Sequence, residues 1–288
     1  MMEIQHYLAP TSLGQALDRL ADGDVSILAG GTDVMPQSQA GKLKFKSTLM
    51  NIRRIPELIG VAAQGGDLCI GALTTITELL DNALVQRYLP VLADACNHFA
   101  SDQIRNAATL GGNICNASPA GDTLIPLLVL DARVELASRT RGKLQWRSLP
   151  LAEFFTGPGK SRRAPDELLV GVRIPLPGPG RAAWFHKFGT RPALDISTIS
   201  IGIAGTLSRG ALLDVRVAFG AVAPTVVRAP LTERALEGQR LDPEVIAQVA
   251  QIARDEVTPI DDVRASAWYR KELIHNMTKR MLDHVAHA

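Results

Sequence analysis

The sequence predicts an α+β chain: two α/β lobes followed by a C-terminal domain of a small antiparallel sheet with helices. Three observations predict it. Short apolar runs of strand length alternate with helical stripes from the start of the chain to Ile174. The run Leu176-Pro177-Gly178-Pro179-Gly180 then interrupts any helix or central strand, because proline has no amide hydrogen and a fixed φ. Beyond it lie three strand-like segments and two helical patterns. The domains are accordingly bounded at 1–56, 57–176 and 177–288.

In the first lobe, Leu13, Ala16, Leu17 and Leu20 form a helical stripe with Ser12 as its N-cap. Val25-Ser26-Ile27-Leu28-Ala29 reads as a buried strand ending at Gly30-Gly31, and Thr48 to Ile52 as a second, a spacing that suits a parallel βαβ unit. In the second lobe, Leu68 to Ala72 reads as a strand and Thr77 to Ala83 and Leu89 to Phe99 as helices. A glycine-rich loop follows from Thr109 to Asp122, then a helix from Thr123 to Leu130 and strands at Arg133 to Ala137 and Leu168 to Ile174. In the third domain, strands are expected at Trp184 to Gly189, Ile196 to Leu207 and Leu212 to Gly220. The last two are joined by a hairpin turn at Ser208-Arg209-Gly210-Ala211. Helices are expected at Pro243 to Arg254 and Val263 to Val285, the latter with a packing stripe of Ala267, Ile274, Met277, Met281 and Val285.

Composition excludes several function classes. The 288 residues carry 31 basic and 29 acidic side chains, a balance unlike that of a nucleic-acid-binding domain. The single basic cluster, Lys160-Ser161-Arg162-Arg163, reads as a solvated loop. Residues 1–6 lack the features of a secretory signal, and no apolar run approaches the roughly 18 residues of a membrane span. A cytoplasmic location is expected. Cys69, Cys96 and Cys115 are odd in number and widely spaced, which fits neither a disulfide framework nor a metal knuckle. The six histidines are scattered, and no nucleophile–base pair or carboxylate dyad can be placed.

The chemistry that can be read lies in two glycine-rich loops. In Ile27-Leu28-Ala29-Gly30-Gly31-Thr32-Asp33-Val34 a strand runs into paired glycines and then a candidate helix. Residues without a Cβ admit positive φ and let backbone amides approach a ligand, so such a bend can cradle a phosphate; it equally fits a tight strand-to-helix turn. The second loop, Thr109-Leu110-Gly111-Gly112-Asn113, continues to Asp122, which can accept from ligand hydroxyls or cap the following helix. Two such loops after different α/β units let a long diphosphate-linked ligand lie between them. No GxGxxG follows the first strand, and Gly159-Lys160-Ser161 is no P-loop, because Phe154 stands where its first glycine is needed.

At these loops the chain resembles the FAD-binding subunits of the xanthine dehydrogenase and aerobic carbon monoxide dehydrogenase family of molybdenum hydroxylases. Ala29-Gly30-Gly31-Thr32-Asp33 is similar to the family's first flavin motif, and Thr109-Leu110-Gly111-Gly112-Asn113 with Asp122 to its second. The flanks Ser101 to Asn106, Asp166 to Leu169 and Trp268-Tyr269-Arg270 fit as well.

The resemblance implies the FAD-binding fold shared with vanillyl-alcohol oxidase (PCMH type), with FAD between the lobes. Residues 27–34 and 109–113 would wrap the diphosphate and ribityl chain. Asp122 and Lys187 would be polar contacts, and Phe99 and Leu169 apolar walls near the adenine. Val34 and Ile196 would flank the isoalloxazine, and Asp195 would lie in the loop that controls access to it. It further implies an electron relay to NAD+ or another acceptor. Partners would be a large molybdenum-cofactor subunit and a small subunit with [2Fe-2S] clusters, in a dimer of heterotrimers, since three cysteines cannot hold even one cluster. No cysteine-bound cluster is expected here. Replacing Gly111 or Gly112 with valine is expected to abolish FAD binding in a folded chain.

Two rivals remain at this stage: a self-contained flavin oxidase of the vanillyl-alcohol-oxidase type and a non-catalytic assembly subunit. The short C-terminal segment offers the former no acid–base constellation, and intact glycine loops argue against the latter.

Overall fold

A computed structural model describes residues 4–191 and 194–287. The expectations that touch residues 1–3, 192–193 and 288, including the outer ends of the first and last domains, lie there outside the described residues.

The first lobe contains β1 (His6–Leu8), α1 (Leu13–Ala21), β2 (Val25–Leu28), α2 (Val34–Gln39) and β3 (Thr48–Asn51). Its sheet has the order β1-β3-β2 with both pairings parallel, as the βαβ spacing requires. The Ser12 hydroxyl accepts from the Gln15 amide and starts α1, which buries Ala16, Leu17 and Leu20. These side chains pack with Met50 and Ile52 and with Leu73, Leu168 and Val170 of the second lobe, so one apolar cluster spans both. Each such fully buried leucine contributes roughly 1.5–3 kcal/mol.

The second lobe begins with β4 (Val61–Gln64) and β5 (Asp67–Gly71) and continues through six helices. These are α3 (Ile76–Asp81), α4 (Ala83–Tyr88), α5 (Pro90–Asn97), α6 (Asp102–Arg105), α7 (Leu110–Asn116) and α8 (Leu124–Val129). It ends with β6 (Arg133–Thr140), β7 (Lys143–Pro150), β8 (Phe155–Gly157), β9 (Lys160–Ser161) and β10 (Leu168–Pro175). The main sheet is antiparallel, in the order β4-β5-β10-β6-β7.

The glycine-rich stretch from Thr109, expected as a loop, is in its first half the helix α7. Glycine weakens a helix, but here the Thr109 hydroxyl caps the Gly112 amide at 3.1 Å. The amides of Leu110 and Gly111 donate to the carbonyls of Thr74 and Ala72, and left-handed Ala117 ends the helix.

The C-terminal domain holds β11 (Arg181–Phe188), β12 (Ile199–Ser208), β13 (Ala211–Gly220) and β14 (Val227–Arg228), in that order in one antiparallel sheet. Arg209 and Gly210 both have positive φ in the predicted two-residue hairpin. Helices α9 (Pro230–Leu236), α10 (Pro243–Glu256) and α11 (Ala267–Ala286) complete it. α11 starts four residues later than its periodicity suggested, where Ser266 caps the Tyr269 amide. Ile274, Met281 and Val285 of its stripe are buried against Ile246, Val249 and Ala253 of α10. The other sheet face receives α8. Gly202 and Gly220 leave room there for Ile125, whose side chain stands 2.8 Å from where a Cβ of Gly202 would be.

Candidate functional site

Both glycine-rich segments face one cavity of about 750 Å³ between the first and second lobes. Gly30 fixes how closely the lobes meet, since a Cβ there would lie 2.0 Å from the Ala107 carbonyl oxygen. Gly31 sits at φ +80°, where a side chain would be strained. Among the described residues, the amides of Gly30, Gly31, Thr32 and Asp33 donate to no protein acceptor. Gly30, Gly31 and Thr32 are half-buried and Asp33 is the exposed N-cap of α2; four such amides in succession at a cavity wall can cradle an anion.

The second segment contributes differently. The amides of Leu110, Gly111, Gly112 and Asn113 are all spent inside the protein, on Thr74 O, Ala72 O, Thr109 Oγ1 and Thr109 O. A Cβ on Gly111 would strike Ala72 Cβ at 2.6 Å and Ala72 O at 2.8 Å, and one on Gly112 would strike Thr109 Oγ1 at 2.8 Å. These glycines therefore permit packing and capping. At Gly111 the atoms of a valine would meet the Cβ and backbone of Ala72 first, which argues against a folded variant that loses only its ligand; at Gly112 the sole near atom is the Thr109 hydroxyl, a side-chain end that can turn away. α7 and its cap line the cavity with Gly111 and Gly112, which have no side chain, and with Thr109, Asn113, Cys115 and Asn116. Asn113 Oδ1 accepts from Thr123 at 2.7 Å, and Asn116 Oδ1 accepts from Gln37 Nε2 at 3.0 Å, a bridge from α7 to α2 of the first lobe.

Of the residues singled out in sequence, Ile27, Ala29, Gly30, Gly31, Thr32, Asp33 and Val34 line the cavity from the first lobe. Phe99, Thr109, Gly111, Gly112, Asn113 and Leu169 line it from the second. Leu28 and Leu110 do not line it, and Leu110 is fully buried.

Asp122 and Lys187 also stand outside this wall, joined to each other at 2.6 Å with side chains 10% and 8% exposed. Lys187 donates as well to the His98 carbonyl, and Ser197 Oγ to Asp122 at 2.8 Å. Burial raises the Asp122 carboxyl above its ordinary value, with Lys187 opposing. Asp122 makes no side-chain cap on α8; it ties the second lobe to β11. Asp195 closes its own loop, accepting from the Thr190 hydroxyl at 2.8 Å and from the Ile196 amide at 2.9 Å. These bonds, the Thr190 ones first, hold its carboxyl below the ordinary range. Ile196 is half exposed beside it, away from the cavity wall.

The cavity also contains groups that sequence reasoning missed. Gln37, Asn116 and Ser118 supply amides and a hydroxyl, and Lys44, Lys46 and Arg163 supply cations. Lys44 and Lys46 could have been noticed as alternating positions before β3; Arg163 gave no such signal. Asp33 is the carboxylate in this wall, and burial raises its pKa. No group of histidine, cysteine and carboxylate suited to a metal occurs among the described residues.

Comparison with known proteins gives the same picture. The family described as FAD binding domain in molybdopterin dehydrogenase matches residues 2–177, and that described as CO dehydrogenase flavoprotein C-terminal domain matches residues 184–285. The putative xanthine dehydrogenase FAD-binding subunit of Escherichia coli (strain K12) is 35% identical, covering 100% of this chain and 98% of that protein. The carbon monoxide dehydrogenase medium chain of Hydrogenophaga pseudoflava is 31% identical, covering 96% and 95%. Among solved structures, carbon monoxide dehydrogenase from Hydrogenophaga pseudoflava superposes with a TM-score of 0.91 at 30% identity, covering 97% of this chain and 96% of that one. Quinoline 2-oxidoreductase from Pseudomonas putida 86 does so with a TM-score of 0.90 at 27% identity, covering 100% and 98%.

Proposed function

The chain belongs to the FAD-binding subunits of the molybdopterin dehydrogenases, and on that premise we propose that it relays electrons from iron–sulfur clusters on a partner subunit to NAD+ or another acceptor. It is a flavoprotein subunit of an oxidoreductase. The observation that carries the reading is the row of four acceptor-free amides from Gly30 to Asp33 on the wall of a cavity of about 750 Å³. FAD, when bound, supplies the capacity to take electrons singly and release them in pairs.

This chain's residues bind and orient. The amides of residues 30–33 would hold the diphosphate, and Thr109, Asn113 and Asn116, which line the same cavity, would face the ribityl chain. Phe99 and Leu169 wall the cofactor with apolar surface, and Val34 borders the ring. Lys187 and Asp122 hold β11 against the second lobe. Asp195 and Ile196, which lie off the cavity wall, would touch the ring only where it emerges from the cavity.

The partners are a large molybdenum-cofactor subunit and a small [2Fe-2S] subunit, assembled as a dimer of heterotrimers in the cytoplasm. The relatives named medium chain or medium subunit support the large and small partners. Among the described residues no helix is long and apolar enough to cross a membrane.

Titrating the purified chain with FAD, followed by anaerobic addition of NADH, tests the reading. Stoichiometric uptake is expected, with bleaching of the flavin if NAD+ is the acceptor. A folded chain that takes up no FAD would overturn it.

A further inference from the structure

In sequence Arg163 belongs to a basic cluster that reads as solvated; the structure separates it from that cluster. Lys160 and Arg162 are exposed, and Arg162 faces Glu153 at 3.6 Å. Arg163 is half-buried and forms part of the wall of the inter-lobe cavity. Its guanidinium is held in place, Nη1 donating to the carbonyls of Ala164 at 3.0 Å and Glu167 at 2.6 Å.

That turn is itself braced. Glu167, 7% exposed, accepts from Arg147 Nη2 at 2.7 Å and from the Ala164 amide at 2.6 Å. Arg147 also donates to the Arg162 carbonyl at 2.7 Å. The Glu167 carboxylate is therefore taken by Arg147, and only the Glu167 carbonyl is left for Arg163.

Among the described residues Arg163 has no ion-pair partner, and its Nε and Nη2 have no protein acceptor. A partly buried guanidinium whose nearest carboxylate, Glu167, is already paired with Arg147 keeps part of its desolvation cost, which an arriving anion relieves. Cys115 of α7 lines the same cavity, and the Gly159 amide, four residues before Arg163, donates to the Ala117 carbonyl at the end of α7 at 3.1 Å. Arg163 therefore stands beside the helix that begins at Thr109. Lys44 and Lys46 line the same cavity without ion pairs among the described residues.

We propose that Arg163 is an anchoring cation for the diphosphate of the bound dinucleotide, held ready by the Arg147–Glu167 pair and assisted by Lys44 and Lys46; this rests on the FAD reading above. The free Nε and Nη2 edge offers the forked donor geometry that suits phosphate oxygens. The amides of residues 30–33 and this guanidinium then approach the diphosphate from opposite lobes.

The test uses the full chain, wild type against Arg163→Met and Arg163→Lys, titrated with FAD at low and high salt. Arg163→Met is expected to weaken FAD about tenfold or more, the worth of one charge-assisted hydrogen bond, and to flatten the salt dependence. Arg163→Lys is expected to restore the salt dependence while recovering only part of the affinity, since it keeps the charge and loses the fork. Without FAD, Arg163→Met is expected to unfold close to wild type, since removal of a partly desolvated charge offsets the two lost Nη1 bonds to the Ala164 and Glu167 carbonyls.

Unchanged affinity in Arg163→Met would overturn the assignment alone, as would weakened binding with an unchanged salt dependence, which would mark the side chain as packing only. A wild-type chain that binds no FAD would overturn the flavin reading and this assignment together.

Discussion

Substituting Gly30 with alanine tests the amide cradle directly. The new Cβ would lie 2.0 Å from the Ala107 carbonyl oxygen and 2.8 Å from its carbon, both backbone atoms that no rotamer change can move. Relief requires the two segments to part by about 1 Å, the shortfall from a tolerable contact. The amides of residues 30–33 travel with Gly30. A displacement of that size opens a hydrogen bond of about 2.9 Å to about 3.9 Å, beyond useful range. Losing two charge-assisted bonds at about 1.5 kcal/mol each removes about 3 kcal/mol, or about a hundredfold in affinity. The assay is FAD titration by flavin fluorescence, with urea unfolding of the FAD-free chain alongside. Alanine at Gly31 provides contrast: its φ of +80° imposes strain of about 1–2 kcal/mol, but its neighbours are movable side chains, so stability should fall more than affinity. Gly30→Ala binding FAD within about threefold of wild type, at unchanged stability, would refute the cradle.

Other substitutions give distinct outcomes. Gly111→Val should fail to fold or unfold early rather than lose FAD selectively, because its Cβ meets Ala72 at 2.6 Å; a stable variant lacking only FAD would contradict this. Lys187→Met or Asp122→Asn should each cost about 3–5 kcal/mol in urea unfolding by stranding a buried charge or its partner, and the double variant should regain much of the loss. Additive losses would show the pair to be uncoupled. For Glu167, the Arg147 hydrogen bond is the largest cause that lowers its pKa from the ordinary 4.5. Its stabilisation is therefore complete above pH 4.5 and is lost as pH falls through the lower folded value. Glu167→Gln should flatten stability against pH below that point, and equal acid sensitivity in both proteins would count against the brace.

The periodic elements were legible because their residues carry the signal alone. Ser12 caps α1, the alternation around Arg209-Gly210 marks the hairpin, and the stripe of α11 is buried at Ile274, Met281 and Val285. β7 was passed over although Leu144 and Trp146 alternate with Lys143, Gln145 and Arg147, because the run is short and charged; in the structure its first six positions, both apolar side chains included, are exposed. α7 was missed because glycine propensity argues against a helix that tertiary bonds to Ala72 and Thr74 enforce. At the site, every residue of the first glycine segment from Ile27 to Val34 except Leu28 lines the inter-lobe cavity. Arg163 was hidden, because its neighbours Lys160 and Arg162 are ordinary exposed cations and only the Glu167 turn sets it apart.

The two glycine pairs look alike in sequence but act through different physics, and the difference bears on how cofactor and fold are linked. Gly30 and Gly111 are both positions of close backbone approach, one against Ala107 and one against Ala72. Only the first leaves its neighbouring amides free. The lobes are already joined by the cluster of Leu17, Met50, Leu168 and Val170, so a ligand is not needed to bring them together. It is needed to satisfy what their junction leaves open: four amides on one side and the guanidinium of Arg163 on the other. A ligand that binds only this arrangement stabilises it by mass action, about 2.7 kcal/mol at a hundredfold excess over its dissociation constant. That gain should appear in the unfolding of the inter-lobe contact before it appears in the C-terminal domain, whose core of α10, α11 and the β11–β14 sheet contains none of the cavity's residues.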